Sequence, residues 1–251
     1  DSQCYRQYSL CGEQNNMQQW QIAVLKDEAS RGGSHYIHEV LQEGDVINVS
    51  HPKNHFPFVG QNKCFFIAGG IGITPIVPMV QAAAAAGLDW QLLYLARDGA
   101  DFIFLSQLQQ LDARRIRVHA SDQGGQLDLQ AALLALDAQT TVYSCGPQRL
   151  LDTLETYHQQ QSDLGWKLVL ERFAVEVDEA ALTGNRFTVV LQKSGKSVVV
   201  GHNETILNAL KREGIRVKCS CQNGTCGTCE TVVVSGRPDH RDFVLSAEER
   251  D

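Results

Sequence analysis

Between Lys63 and Phe173 short apolar runs alternate with amphipathic stretches, and this alternation restricts the fold of the 251-residue chain more than any other feature. CFFIAGG leads into TPIVPMVQAAAAAG, LLYLAR into a helix-like stretch from Asp101 to about Ala113, RIRVHA into LDLQAALLALD, and TTVYSCG into PQRLLDTLETYHQQQ; KLVLERF closes the series. A strand buried on both faces reads as an unbroken apolar run, and a crossover helix reads as an apolar stripe. The pattern therefore predicts an α/β unit with a parallel sheet covered by helices on both sides. Thr74 as N-cap, Pro75 at the first helical position and Gly87 past the end frame the first helix.

The flanks follow other rules. From Asp1 to about Val59 the pattern is strand-like, with Trp20, Ile22 and Val24 alternating against Gln21 and Ala23 and a second run at Val46 to Val49, which predicts a small antiparallel unit. Residues 175–185 are polar, acidic and aperiodic, and read as a linker. Beyond them RFTVVLQKSGKSVVVG predicts a hairpin turning near Ser194 and Gly195, NETILNALKREG a capped helix ending at Gly214, and ETVVVSG a further strand. Two or three compact units suit this length. No apolar run is long enough to cross a bilayer and no leader opens the sequence, so a cytoplasmic protein without a membrane partner is expected. The net charge of -7 is spread without a basic stripe, which argues against nucleic acid.

Half of the eight cysteines fall in CSCQNGTCGTCE, Cys219 to Glu230. Cys221, Cys226 and Cys229 stand in the C-x4-C-x2-C spacing of plant-type iron-sulfur loops, whereas zinc ribbons favour two C-x2-C knuckles and only one such pair is present. Gly224 and Gly227 let backbone N–H groups turn toward sulfur. Iron-sulfur fits better than zinc or than merely buried thiols. No cysteine follows Cys229 as far as Asp251, so the fourth ligand is expected beyond Asp251; Cys219 would crowd Cys221.

Two further motif sets suggest ligands. In RQYSL, Arg6 offers a cation and Tyr8 and Ser9 an aromatic and a hydroxyl for a flavin; in SRGGS, Ser30, Arg31, Gly32, Gly33 and Ser34 allow a phosphate close to the backbone. Alone, each is equally a surface arginine beside a core tyrosine or a plain turn. GGIGITP follows an apolar strand and opens a helix, so Gly69, Gly70 and Gly72 can admit a pyrophosphate to the turn before Thr74 and Pro75, unless the segment is only a tight strand-to-helix turn. Cys145, Gly146 and Pro147 end a later strand on the edge where parallel sheets bind ligands, although Cys145 is also a good small core residue. Arg97 and Asp98 end the second strand; Asp98 favours a ribose hydroxyl over a 2'-phosphate, and Arg97 pulls the other way. His35, His38, His51 and His55 have no ligand spacing and read as surface. Lys211, Arg212, Arg216 and Lys218 beside the sulfur loop read as a solvated basic face or as a docking site for an acidic partner.

In this order, RQYSL, SRGGS, GGIGITP, YSCGP, ERF and CSCQNGTCGTC resemble the phthalate dioxygenase reductase family, close to vanillate O-demethylase reductases. The resemblance implies part of an FMN-binding antiparallel β-barrel over residues 1–60, an NADH-binding α/β domain over 61–174 and, over 186–251, a β-grasp, ferredoxin-like [2Fe-2S] domain that continues past Asp251. It carries Arg6, Tyr8, Ser9, Leu10 and Ser30 to Ser34 to FMN, Gly69 to Pro75 and Cys145 to Pro147 to the nucleotide, and Cys221, Cys226 and Cys229 to the cluster. Phe173 matches the aromatic that lies against the flavin. FAD in place of FMN, and NADPH in place of NADH, are the less favoured alternatives. Family members extend past both ends of this chain, so it reads as part of a longer protein.

The implied activity is a change of electron number, from a two-electron hydride donor through a flavin to a one-electron cluster and on to a separate Rieske-type terminal oxygenase of aromatic catabolism, by a monomeric reductase. Hydride would pass from nicotinamide C4 to FMN N5, with Ser9 near N5 and Cys145 near C4. The rivals are a stand-alone NADH-flavin oxidoreductase and a metal-stabilised interaction module without turnover.

Overall fold

The computed structural model describes residues 6–13, 16, 18–28, 30, 32–60, 62–124, 127–173, 184–245 and 248–250. They divide into two compact units, Tyr8–Phe173 and a second made of Asp1–Gln7 with Ala174–Asp251.

The larger unit is built on a five-stranded sheet of β1 (Lys63–Gly69), β2 (Asp89–Ala96), β3 (Ile116–Ala120), β4 (Thr140–Cys145) and β5 (Lys167–Glu171), in the order β3-β2-β1-β4-β5. Every pairing is parallel. The apolar run of β1 is explained by its alternation. Cys64, Phe66 and Ala68 face a cluster with Ile73, Ile76, Val77 and Val80 of α2 (Ile73–Ala85) and Leu108 of α3 (Leu105–Asp112). Phe65 and Ile67 face the opposite cluster, with Leu133 of α4 (Leu129–Leu134) and Leu154 and Tyr157 of α5 (Gln148–Gln160). Helices thus cover both faces, as the alternation predicts, and each fully buried aliphatic or aromatic side chain contributes about 1.5–3 kcal/mol of hydrophobic stabilisation.

Local signals met different fates. Gly87 ends α2 with φ +66, a left-handed conformation open to glycine. Thr74 is not the N-cap. The helix starts at Ile73, two residues before that cap implies, with Gly72 in the cap and Pro75 at its third position, and the buried Thr74 hydroxyl donates to the Ile71 carbonyl at 3.0 Å. Asp128 caps α4 through the Ala131 N–H at 2.8 Å.

The N-terminal part of this unit differs from the sequence reading. Among the described residues its antiparallel pairing is a single bridge, Leu10 to Ile22, with the Cys11 N–H donating to the Gln21 carbonyl at 2.9 Å. SRGGS leads into a short helix that the sequence did not announce, α1 (Gly33–Glu39). The run at Val46 to Val49 forms no strand, and Val46 is 96% exposed. Alternation specifies which face a strand would bury but not which strand it pairs with, and no ladder among the described residues holds this run.

In the smaller unit β6 (Phe187–Val190) and β7 (Ser197–Val200) form the expected antiparallel hairpin, with Gly195 at φ +68 in its turn. α6 (Ile206–Arg212) is capped by Thr205, whose hydroxyl accepts from the Asn208 N–H at 3.1 Å, and closes at Gly214. Val198, Val200, Ala209 and Leu210 make its core. Glu230 to Gly236, expected as a strand, pairs with nothing among the described residues and leaves Val232, Val233 and Val234 exposed. The linker segment lies outside the described residues apart from its last two positions, 184 and 185.

Candidate functional site

Strand order reverses between β1 and β4: the chain winds outward to β2 and β3 on one side and to β5 on the other. At such a switch point the loops leaving the carboxyl ends of the two central strands diverge and leave a crevice for a nucleotide. Those loops are GGIG after β1 and CGP after β4. A β-carbon on Gly69 would lie 2.6 Å from Pro147 Cδ, one on Gly72 would lie 2.3 Å from the Cys145 carbonyl oxygen, and one on Gly146 would lie 3.0 Å from Gly69 Cα. Gly69, Gly72 and Gly146 are therefore glycines because the two turns touch each other. Gly70 is the exception. It has φ +52 and open space where a side chain would stand, and so can present its backbone to a ligand. The Tyr94 hydroxyl, 3.4 Å from the carbonyls of both Gly70 and Asp101, links this turn to the loop after β2.

That second loop carries Arg97 and Asp98, both exposed. One oxygen of Asp98 accepts from the Ala100 N–H at 2.8 Å, capping the turn Gly99–Asp101. Its carboxylate is therefore oriented by the backbone before any ligand arrives.

Cys145 sits at the end of β4 with its side chain wholly buried in the first core cluster. Burial, then the charge of Glu171, pushes its thiol well above the ordinary range. Glu171 is paired in register with Cys145 on the neighbouring strand. Its Oε2 is out of solvent and has no hydrogen-bond partner among the described residues, and desolvation raises the carboxyl to about 7. The sequence reading took only Phe173 from ERF and missed this group. Its signal was an acid ending an otherwise apolar strand at the ligand edge. Arg172, its side chain 7% exposed, bonds Asp152 at 2.7 Å and Glu155 at 3.0 Å on α5. This fixes the strand exit from which Phe173 emerges 41% exposed, free to offer a ring face.

Of the flavin candidates, Arg6, Tyr8 and Ser9 are half-buried and Leu10 makes the bridge to Ile22. Ser34 is buried and its hydroxyl accepts from the Asp27 N–H at 3.2 Å, while the Ser30 hydroxyl accepts from the Gly32 N–H at 3.1 Å. In each case the oxygen is positioned by the backbone while the hydroxyl proton stays available to an anion. Gly32 has φ +93, and Gly33 opens α1. Arg31 lies outside the described residues. His38 bonds the Val24 carbonyl at 2.8 Å, in keeping with its reading as a surface residue.

The sulfur loop is irregular, with left-handed backbone at Gln222, Gly224 and Gly227. These turns aim donors at sulfur. The Asn223 and Thr225 N–H groups lie 3.4 Å from Cys221 Sγ, and the Cys221 N–H lies 3.5 Å from Cys226 Sγ. Burial pushes the Cys221 thiol up, but hydrogen bonds from Thr225, Asn223 and Cys226 outweigh it and bring it down to about 7. Cys229 is raised, by burial and then by the neighbouring Cys226 and Cys221 sulfurs. Cys226 is buried and Cys229 exposed, and no disulfide joins them. Among the described residues no three His, Cys, Asp or Glu side chains converge on one metal ion. A two-iron cluster divides its thiolates between two ions and does not require such convergence, and N–H groups directed at sulfur are what its charge calls for. The donor set fits [2Fe-2S].

Comparison with known proteins agrees with this chemistry. Residues 66–156 match the oxidoreductase NAD-binding domain and residues 189–251 the 2Fe-2S iron-sulfur cluster binding domain. The carnitine monooxygenase reductase subunit of Escherichia coli K12 is 38% identical over 253 residues, covering 100% of this chain and 78% of the relative. The chain belongs to the phthalate dioxygenase reductase family. Vanillate O-demethylase oxidoreductase of Pseudomonas sp. HR199 is 40% identical, with 98% of this chain and 78% of that protein covered. The crystal structure of phthalate dioxygenase reductase, described as modular for electron transfer from pyridine nucleotides to [2Fe-2S], superposes with TM-score 0.68 at 35% identity over 98% of this chain and 77% of that one. An intact type IV self-sufficient cytochrome P450 monooxygenase superposes with TM-score 0.87 at 38% identity over 99% of this chain, which spans 32% of the P450 chain. The protein is an oxidoreductase with an NAD-binding domain and a 2Fe-2S cluster binding domain. Among the described residues no helix is long and apolar enough to cross a membrane.

Proposed function

We propose that the protein is the reductase component of an oxygenase system, delivering single electrons to a Rieske-type terminal oxygenase from the cytoplasmic NADH pool, and that it works as a monomer. Carnitine monooxygenase and vanillate O-demethylase are the systems named for two of its relatives. One observation carries the reading. A nucleotide-type switch point and a loop of thiols receiving backbone N–H groups occur in one chain.

FMN and the cluster, when bound, supply the conversion from an electron pair to single electrons. The chain's own residues supply binding and orientation. Gly70 exposes its backbone to the pyrophosphate between the contacting turns built by Gly69, Gly72 and Gly146, with Thr74 and Pro75 rigidifying the helix start and Cys145 and Pro147 closing the other side. Asp98, already held by the Ala100 N–H, accepts from a ribose hydroxyl, and its charge disfavours a 2'-phosphate. Arg6, Tyr8, Ser9 and Leu10, with the Ser30 to Ser34 turn, hold FMN, and the exposed Phe173 ring lies against it. Cys221, Cys226 and Cys229 hold the cluster. On these assignments residues 1–60 form part of the flavin barrel, 61–174 the nucleotide domain, 175–185 a linker and 186–251 a β-grasp domain.

Iron analysis and visible spectra of the purified protein test the reading, with reduction of cytochrome c as the one-electron assay. The expected protein is red-brown, and Cys226→Ser still oxidises NADH with its flavin but fails to reduce cytochrome c. A colourless protein with stoichiometric zinc overturns the proposal. Full NADH oxidation by an iron-free protein would leave only a flavin oxidoreductase.

A further inference from the structure

We propose that Gln7 is a positioning residue that braces the sulfur loop and adjusts the cluster's reduction potential through Thr228. This rests on the assignment of Cys226 as a cluster ligand.

Gln7 stands in RQYSL between Arg6 and Tyr8, two of the residues assigned to FMN, and no ligand-binding motif requires it. Its Nε2 nevertheless reaches across 221 residues of sequence to the Thr228 hydroxyl at 3.1 Å, and lies 3.4 Å from the Cys226 carbonyl. Both protons of the carboxamide are thereby directed into the sulfur loop. The boundary between the two compact units falls at the next peptide bond, so Gln7 is the last residue of its segment to belong with the cysteines.

The Thr228 oxygen also lies 3.2 Å from Cys226 Sγ, the most buried sulfur of the loop. As a free thiol, Cys226 can donate to that oxygen. As a thiolate on iron it has no proton, and the Thr228 hydroxyl must turn and donate to sulfur. Its oxygen is then free to accept, and Gln7 is the donor in place. The result is a directed chain from the Gln7 N–H through the Thr228 O–H to Cys226 Sγ, in which each bond polarises the next. Hydrogen bonds to ligand sulfur favour the reduced, more negative cluster. Removing either donor must lower the potential. A purely structural clasp would change stability and leave the potential alone.

The experiment is a redox titration of the iron-loaded protein followed by electron paramagnetic resonance, on wild type, Gln7→Leu, Thr228→Val, Thr228→Ser and the double variant Gln7→Leu with Thr228→Val. Gln7→Leu and Thr228→Val are each expected to lower the cluster's one-electron equilibrium constant by up to about tenfold, about 59 mV. The double variant should fall no further than Thr228→Val alone, and Thr228→Ser should match wild type. Unchanged potentials in iron-replete Gln7→Leu, or additive shifts in the double variant, overturn the proposal. Should Gln7→Leu lose iron, Thr228→Val against Thr228→Ser decides: equal potentials refute the chain. A wild-type protein that binds no iron would instead refute the functional assignment.

Discussion

Gly72 and Gly70 are two positions apart and are glycines for different reasons. A methyl group at Gly72 would meet the Cys145 carbonyl at 2.3 Å, so Gly72→Ala must push the end of β4 away, at a cost of about 1–3 kcal/mol. At Gly70 the space is open, but φ +52 strains any L side chain, and Gly70→Ala costs about 1–2 kcal/mol from backbone conformation alone. Denaturant unfolding of both variants, with and without NADH, separates the effects. Both lose stability, and Gly72→Ala also weakens NADH binding because the turns no longer meet. The sequence placed all three glycines of GGIG against a pyrophosphate. It could not show that two of them abut a turn more than seventy residues away, because that contact exists only once β1 and β4 are neighbours. Glu171 was hidden for the same reason, since its isolation is a property of the folded edge. Its carboxyl is raised by burial from 4.5 to about 7, so the native state binds a proton that the unfolded state has already released between those values. Stability therefore falls as pH rises from about 4.5 to about 7, by at most about 3 kcal/mol. Glu171→Gln should flatten that limb in unfolding series at pH 5 and pH 8 and be the more stable protein at pH 8. An unaltered pH slope in the variant would show that Oε2 is solvated.

At the scale of elements, what the chain declares locally is what the fold delivers. Strands β1 to β5 each carry their own evidence, because a parallel strand buried on both faces needs no knowledge of its neighbours to be recognised. The helices following β1, β3 and β4 likewise show their apolar stripes. Leu154 lies on the buried stripe of α5 and is fully enclosed against Phe65, Ile67 and Val142 of the sheet's second face. Leu154→Ala should cost about 2–5 kcal/mol in equilibrium unfolding, without a change in the sulfur loop's iron content, since the loop belongs to the other unit. The antiparallel barrel was the opposite case. Its strands depend on ladders with distant partners; among the described residues the alternation at Trp20 to Val24 finds only the Leu10–Ile22 bridge, and Val46 to Val49 forms no strand. The helix α1 escaped notice because seven residues without a side-chain cap leave no periodic signal to read.

Across the whole chain, charge is divided unevenly. Residues 186–251 carry ten Lys and Arg against eight Asp and Glu, a net of +2, while residues 1–185 carry twelve against twenty-one, a net of -9. The part that holds the cysteines is the cationic part. Within it Arg212 is already committed: it pairs with Glu204 at 3.0 Å and with Glu213, and bonds the Val199 carbonyl at 2.8 Å. Lys211, Arg216 and Lys218 remain exposed. Ile215 and Val217 turn inward onto the small core, so Arg216 and Lys218 share the outward side of the segment that enters the sulfur loop at Cys219. Such a face speeds encounter with an acidic acceptor, by roughly tenfold or more at low salt, and the gain disappears once the Debye length falls below the separation of the charges. Replacing Lys211, Arg216 and Lys218 together by Glu should slow electron delivery to the oxygenase by about tenfold or more at an ionic strength of about 10 mM and by far less at about 300 mM. Reduction of cytochrome c, a cationic acceptor, should become faster in the same variant. Equal losses with both acceptors would mean that the substitutions damaged the sulfur loop rather than a docking face, and a rate to the oxygenase that ignores both charge reversal and salt would leave those three residues as solvated surface.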